Sequence, residues 1–178
     1  RYLAYSTGGS SGVRGVFVLD LPAAVAFIGS ITRGLVARLQ AMGVPPGGAL
    51  PMAMMGARCG LHPAGSAQPL TGGGGLPYRF INVPATDPLP EIVARLEELR
   101  PAALFGYPTM LARLGQEHVA GRLGVRPLFV VSTSEALTPA LQRAIGGFGV
   151  AVIDTFARTV GLVGATDESG AAWTDVGG

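Results

Sequence analysis

Apolar residues recur at three- and four-residue intervals between Pro22 and Met42, the spacing that places side chains on one face of a helix. Proline suits the first turn of a helix, and Gly43 is a natural stop. The basic residues Arg33 and Arg38 fall on the opposite side. The pattern predicts an amphipathic helix over residues 22–42, with an apolar stripe formed by Phe27, Ile28, Ile31, Leu35, Leu39 and Met42.

From Leu99 onward, short apolar runs alternate with segments of helical periodicity. Alternation of this kind favours a parallel sheet with helices packed on its faces, so the predicted fold class is α/β, with a mainly parallel β-sheet flanked by helices. Thr138 is a predicted N-cap. The predicted helices are 88–99, 109–123 and 139–148, and the predicted strands between and after them are 102–106, 127–131 and 150–153.

Four further strands are predicted in the first half of the chain, at residues 2–5, 16–19, 49–55 and 79–83. Residues 59–77 are rich in Gly, Pro, Ser and Thr. A loop of this length inside a domain is unusual and is often functional or mobile. We expect the four glycines Gly72–Gly75 to stay mobile, because they bring maximal chain entropy and no side-chain packing.

Composition limits the function classes. The chain has 178 residues, 48% hydrophobic and 13% charged, which fits one globular domain with a substantial core. All 13 basic residues are Arg, but a net charge of +2 without an Arg–aromatic cluster argues against a nucleic-acid partner. A single Cys and two His make a structural zinc site improbable, so no metal ligand is assigned.

No secretory signal or membrane segment is recognised, since the apolar stretch 21–31 is too short to cross a bilayer. We therefore expect a cytoplasmic protein with no membrane partner. The sequence opens on Arg1 rather than Met and closes on a turn-like Gly-Gly pair. Residues 1–178 are interpreted as a single partial domain, cut at both ends.

A stretch rich in glycine and hydroxyl residues, Ser6–Gly15, connects the first two predicted strands. Its backbone N–H groups and hydroxyls suit phosphate oxygens, although a hairpin without a ligand would have the same composition. It is not a P-loop, because no Lys follows and no helix begins there. Residues 8–12 match the nucleophile elbow G-x-S-x-G, but that motif requires a strand–turn–helix context. Ser10 as the nucleophile of a hydrolase is kept as a rival hypothesis.

Polar residues follow three of the predicted strands, at Tyr107–Thr109, Ser132–Glu135 and Asp154–Phe156. In parallel sheets, ligands bind beyond the carboxyl ends of the strands. Some of these Ser and Thr residues are expected only to cap the helices that follow. Three polar strand ends together with the Gly-rich loop nevertheless favour one shared pocket.

Several segments resemble adenylate-forming (AMP-binding) enzymes, and most closely the phenylacetate–coenzyme A ligase branch. Thr7–Gly12 resembles the phosphate loop T-G-G-S-T-G, and residues 99–111 resemble L-x-P-x-x-L-x-G-Y-P-S-x-L. Residues 132–138 resemble T-S-G-E-x-L-T, with Ser134 where Gly is common. Residues 152–161 resemble V-x-D-x-Y-G-x-T-E-G. The order and spacing match over nearly the whole chain, which is identified as part of the large N-terminal domain.

The resemblance implies ATP-dependent activation of a carboxylic acid to an acyl-adenylate and transfer to coenzyme A, with Mg²⁺. ATP, coenzyme A and the acid are the implied partners. Thr159 would lie near the α-phosphate as the catalytic residue. The implied phosphate-binding residues are Thr7, Gly8, Gly9, Ser10, Ser11 and Gly12, and the implied adenine-side residues are Ser132, Thr133, Ser134, Glu135, Asp154, Thr155 and Phe156.

Three departures from the family pattern weaken the implied activity. Val160 stands where the family has its Mg²⁺-ligating Glu, and Mg²⁺ requires oxygen ligands. Ala157 replaces a family Gly, and Arg14 stands where proline is usual. A catalytically impaired nucleotide-binding paralogue is therefore the first alternative to the ligase.

Overall fold

The computed structural model describes residues 2–6, 15–41, 43, 50–56, 78–158, 161–166 and 172–173. The predicted loop at 59–77, including Gly72–Gly75, lies outside the described residues. The remaining chain forms a two-stranded hairpin, a helix that follows it, and a seven-stranded sheet with helices on its connections.

The hairpin consists of β1 (Tyr2–Ser6) and β2 (Val16–Asp20), paired antiparallel with Ser6 opposite Val16. The two strands predicted on either side of the Gly-rich stretch are thereby confirmed. Helix α1 (Leu21–Ala41) follows directly and agrees with the predicted helix to within one residue at each end. The Asp20 carboxylate accepts a hydrogen bond of 2.9 Å from the Ala23 N–H, which satisfies one of the free donors at the helix start.

The sheet contains β3 (Leu50–Gly56), β4 (Tyr78–Pro84), β5 (Ala103–Gly106), β6 (Phe129–Thr133) and β7 (Ala151–Arg158). These five strands run parallel in the order β4-β3-β5-β6-β7, which confirms the predicted α/β class. Two antiparallel strands, β8 (Gly161–Thr166) and β9 (Ala172–Trp173), extend the sheet beyond β7. The sequence pattern did not predict them.

Three helices follow the parallel strands: α2 (Leu89–Leu99), α3 (Pro108–Val119) and α4 (Pro139–Ile145). Each has proline in its first turn, where the missing N–H costs nothing. The predicted N-cap Thr138 is confirmed, because its hydroxyl accepts from the Leu141 N–H at 3.3 Å.

Two predicted helix ends were wrong. α3 stops at Val119 rather than Leu123, because Gly121 adopts a φ of 72° that ends helical geometry. α4 stops at Ile145, and the chain continues as the 3₁₀-helix Gly146–Phe148.

The core lies on both faces of the sheet. On one face, buried residues of the strands pack with those of α2, α3 and α4. On the other face, a smaller buried cluster is packed against Val36 of α1. The first cluster includes Ala53, Met55, Leu104 and Val130 from the strands, and the second consists of Met52, Ala103, Phe129, Val131 and Ile153.

Candidate functional site

The carboxyl ends of β5, β6 and β7 lie side by side. Gly106 of β5 is in register with Ser132 of β6, which is in register with Asp154 of β7. Because side chains alternate across a strand, Ser132 and Asp154 share one face of the sheet, and Thr133 and Thr155 share the other. The structure thus brings together polar residues from two of the stretches predicted to form one site.

The predicted ends of two of these strands were wrong, since β6 ends two residues later and β7 five residues later than expected. Ser132 and Thr133 are the last residues of β6, and Asp154 to Phe156 lie inside β7, which continues to Arg158. Asp154 and Thr155 therefore have the fixed backbone of a paired strand rather than that of a loop.

Ser132 makes hydrogen bonds to both of the β7 residues in this cluster. It is completely buried, and its hydroxyl donates a 2.9 Å hydrogen bond to Asp154 Oδ1. The Thr155 hydroxyl in turn donates to the Ser132 backbone carbonyl at 2.9 Å. Side chains of β7 are thus tied to β6 by two hydrogen bonds besides the strand ladder. Since the Ser132 side chain is enclosed, its effect on a ligand would pass through Asp154 and the following loop.

The loop after β6 contacts the start of α3. Ser134 has a φ of 70°, a left-handed conformation that suits glycine, and this explains why glycine is common there in the motif it resembles. The next residue, Glu135, accepts from the Thr109 hydroxyl at 2.7 Å and from the Thr109 N–H at 3.3 Å. All three residues are solvent-exposed.

Close packing of the strands supports this edge. A Cβ added to Gly106 would lie 2.9 Å from the Met55 carbonyl oxygen and 3.0 Å from the Met55 Cβ. Glycine at the end of β5 therefore lets β3 and β5 approach closely just before the chain turns into α3.

Several predicted site residues lie outside the described residues. They are the phosphate-loop residues Thr7–Gly12 and the two positions Thr159 and Val160. The backbone of Phe156 lies in β7, in register with Gly164 of β8, but its side chain is not described. The hairpin strands place both ends of the Gly-rich stretch next to each other.

Sequence reasoning assigned no role to Thr109, although it named the stretch that contains it. Its contact with Glu135 spans 26 residues of sequence. Only the alternation of strands and helices, which brings successive strand ends to one edge, could have indicated such a pair.

Within the described ranges, no group of three or more His, Cys, Asp or Glu side chains is arranged to hold a metal ion. None of the described helices combines the length and hydropathy that a bilayer crossing requires. An ion pair between Arg122 Nε and Glu117 Oε2, at 2.5 Å, joins the end of α3 to the turn that follows it.

Comparison with solved structures finds several proteins that share this fold. A crystal structure of 2-hydroxyisobutyryl-CoA ligase in the postadenylation state with 2-HIB-AMP matches with a TM-score of 0.67 at 18% identity, over 93% of this chain and 35% of that chain. A malonyl-CoA ligase complex with methylmalonyl-CoA and AMP matches with a TM-score of 0.60 at 19% identity, over 94% and 35%. An AMP-forming acyl-CoA synthetase/AMP-acid ligase II-like protein from Dyadobacter fermentans DSM 18053 matches at 0.59 and 18%, over 94% and 44%.

No protein-family model matches the sequence, and no curated protein sequence matches it significantly. The structural neighbours are AMP-forming acyl-CoA ligases, and at this identity they show a shared fold. The chain spans about a third of the length of the first of them, 36% and 35% for two structures of the hydroxyisobutyryl enzyme.

Proposed function

We propose that this chain is part of the large domain of an ATP-dependent acid–thiol ligase, which forms an acyl-adenylate and transfers the acyl group to coenzyme A. The observation that carries the proposal is the edge formed by Ser132, Asp154 and Thr155 with the adjoining Glu135–Thr109 contact. The motif resemblance assigns the adenine side of a nucleotide site to this edge. Support comes from neighbours whose structures contain an acyl-AMP with CoA, or AMP with an acyl-CoA.

The residues divide into groups by the part of ATP that each would hold. By the resemblance, Ser132–Glu135 and Asp154–Phe156 would flank the adenine, with the Phe156 ring as a stacking face. Thr7–Gly12 would hold the β- and γ-phosphates through backbone N–H groups and hydroxyls. Thr159 would lie near the α-phosphate. ATP supplies the adenylyl group, and the protein orients it toward the carboxylate of the acid.

The finer assignment is a ligase of the phenylacetate–coenzyme A type. It rests on the sequence between Leu99 and Leu111, whose G-Y-P-T part joins β5 to α3. An aryl acid is therefore the substrate class to test first, with coenzyme A as the thiol and Mg²⁺ as the metal that neutralises phosphate charge. We also propose that residues 1–178 form a single partial domain of this enzyme.

A nucleotide-binding protein with impaired chemistry is the second candidate, because Val160 cannot supply an oxygen ligand. Acid-dependent pyrophosphate exchange in the intact protein, with a panel of aryl acids, separates the two. The ligase predicts exchange that requires acid, ATP and Mg²⁺ together. ATP binding without exchange by any acid would favour the impaired protein, and no ATP or AMP binding at all would reject both.

The variant Val160→Glu tests whether the missing oxygen ligand limits the reaction. A Mg²⁺–carboxylate contact at the reacting phosphate would be worth a few kcal/mol by analogy with other active-site electrostatic effects, or roughly a hundredfold in rate. We expect Val160→Glu to accelerate adenylate formation much more than it tightens ATP binding. Val163→Glu is the control for an added negative charge. Fast adenylate formation by the Val160 protein would mean that another residue holds the metal.

The hydrolase hypothesis is disfavoured by the hairpin. Ser10 lies between two antiparallel strands, β1 and β2, and the nucleophile elbow requires a strand followed by a helix. Covalent labelling of Ser10 by a fluorophosphonate probe, lost in Ser10→Ala, would reverse this conclusion.

A further inference from the structure

The N-terminus of α3 is capped by a residue from a different loop. Its N-cap, Tyr107, makes no side-chain capping hydrogen bond, and Pro108 occupies the first helical turn. The free N–H of Thr109 is instead directed to the Glu135 carboxylate, which also accepts from the Thr109 hydroxyl. A carboxylate at a helix N-terminus satisfies an unpaired donor and interacts favourably with the helix dipole. Glu135 therefore caps the N-terminus of α3, although it lies 26 residues away from Thr109 in the sequence.

The same contact fixes the loop after β6. Ser134, with its left-handed backbone, directly precedes Glu135, and the buried Ser132 lies two residues before it at the end of the strand. Ser132 is itself tied to Asp154. The loop is therefore held at its base by the Ser132–Asp154 hydrogen bond and at its tip by the Glu135–Thr109 pair. Ser134, Glu135 and Ala136 are all exposed to solvent.

We propose that Glu135 is a positioning residue for the nucleotide site: through Thr109 it holds the loop Ser134–Ala136 in the conformation that a nucleotide meets. This inference rests on the proposed function and revises one part of it, since the Glu135 carboxylate serves α3 rather than the adenine. The shorter of its two contacts, 2.7 Å, is with the Thr109 hydroxyl, so that hydroxyl is the sensitive point for a test.

The test is a double-mutant cycle on AMP affinity in the intact protein, measured well below the melting temperature of every variant. Thr109→Val removes the hydroxyl and keeps the side-chain shape, Glu135→Ala removes the carboxylate, and a third protein carries both. From the usual effect of losing a helix cap, each single variant should weaken AMP binding by ~3- to 10-fold. The double variant should bind AMP no more weakly than the worse single variant. The hydrogen bond that Thr109→Val removes is already lost in Glu135→Ala. The conservative Thr109→Ser should restore near-normal affinity.

A direct contact between Glu135 and the adenine gives a different result. Thr109→Val would then leave AMP affinity unchanged, or the two losses would multiply, and either outcome overturns the proposal. The same cycle measured by urea unfolding without nucleotide separates positioning from a purely structural cap. If the effects of the two substitutions are coupled in the free energy of unfolding but independent in AMP affinity, the contact is only structural and the proposal is overturned.

Failure of the proposed function and failure of the inference about Glu135 give different experimental results. If the wild-type protein binds neither AMP nor ATP, the nucleotide site is absent and the positioning role is rejected with it. The unfolding cycle would then still show whether Glu135 caps α3. If the wild type binds AMP and the affinity losses are independent, the function stands and only the inference about Glu135 fails.

Discussion

Ser134 carries a backbone conformation that costs a non-glycine residue about 1–2 kcal/mol. Ser134→Gly should therefore raise the free energy of unfolding by roughly 1 kcal/mol, less the entropy that glycine adds to the unfolded chain. Urea denaturation measures the change. The control is Ala136→Gly in the same exposed loop, where φ is not positive and only the entropy cost applies. A loss of stability in Ser134→Gly as large as in Ala136→Gly would contradict the argument.

Ser132 is the only polar residue among the fully buried side chains that the structure describes. Ser132→Ala removes the donor to Asp154 without adding bulk, and a lost buried hydrogen bond of this kind costs about 1–3 kcal/mol. We expect a lower midpoint of urea unfolding with an unchanged slope. The matched variant is the isosteric Thr133→Val at the next, half-buried residue, which should change stability much less. Equal losses in both variants would show that the Ser132–Asp154 bond contributes little.

At the scale of the elements, α3 and α4 pack backbone against backbone. A Cβ on Gly115 of α3 would clash with the Ala144 carbonyl oxygen of α4 and lie 3.1 Å from the Ala144 carbonyl carbon. Gly115→Ala should thus force the helices apart and lower stability by about 1–3 kcal/mol, despite the better helix propensity of alanine. Thermal unfolding provides the measurement.

The control for this prediction is Gly29→Ala in α1, where the added Cβ meets nothing within 4 Å. It should stabilise the protein by about 0.5–1 kcal/mol. If both alanine variants were stabilising, the contact between α3 and α4 would be looser than the structure shows.

The last turn of α3 supplies a pH-dependent contact. The hydrogen bond from Arg122 to Glu117 lowers the pKa of the Glu117 carboxyl, so the folded state favours its charged form. This contribution to stability is present above the pKa of Glu117 in the unfolded chain and disappears as pH falls through the lower folded-state pKa. Glu117→Gln should be slightly less stable than the wild type at pH 7, with the difference gone at strongly acid pH.

Urea unfolding of the two proteins between pH 2 and 7 checks this prediction. Exposed Glu98 provides the comparison, as Glu98→Gln on α2. A difference for Glu117→Gln that grows at low pH would contradict the sign of the argument.

Sequence pattern was sufficient for elements whose signals are local. Proline marked the start of α2, and the N-cap Thr138 marked the start of α4. β7 was predicted too short because Asp154 and Thr155 are polar, although pairing with β6 and β8 continues the strand through them. The antiparallel strands β8 and β9 were missed although their partners are close in sequence, because β8 contains two glycines, which weaken a strand pattern, and β9 has only two residues.

The same distinction applies to the candidate site. The polar stretches at Ser132–Glu135 and Asp154–Phe156 were identified from their place after apolar runs. Their hydrogen bonds were not, because the contacts span 22 or more residues and depend on strand register. The sequence pattern likewise could not predict that Ser132 is fully buried, since serine is usually found at the surface.

For the whole molecule, the hairpin exposes apolar side chains on its outer face. Tyr2, Val16 and Val18 are 78%, 70% and 61% exposed, whereas Leu3, Phe17 and Leu19 on the inner face are half-buried. Exposed apolar patches favour association. The double variant Val16→Thr/Val18→Thr should therefore self-associate less than the wild type and keep its melting temperature, because threonine retains the β-branched shape that strands favour.

Analytical ultracentrifugation and thermal unfolding test that prediction together. Phe17→Thr on the inner face is the control, and it should lower the melting temperature instead. Unchanged association in the Val16/Val18 variant would show that this face does not mediate contacts between molecules.

The strand order also bears on how the chain acquires its structure during synthesis. β4 pairs with one side of β3 and β5 with the other, and each strand from β6 to β9 pairs with the strand before it in the chain. Apart from β3, each described strand of this sheet therefore leaves the ribosome after one of its partners. Chains grow at about 5–20 residues per second, which is slow compared with the formation of local structure. The described sheet can thus assemble vectorially, because the five parallel strands can pair with one another once β7 has left the ribosome, before β8 and β9 are added.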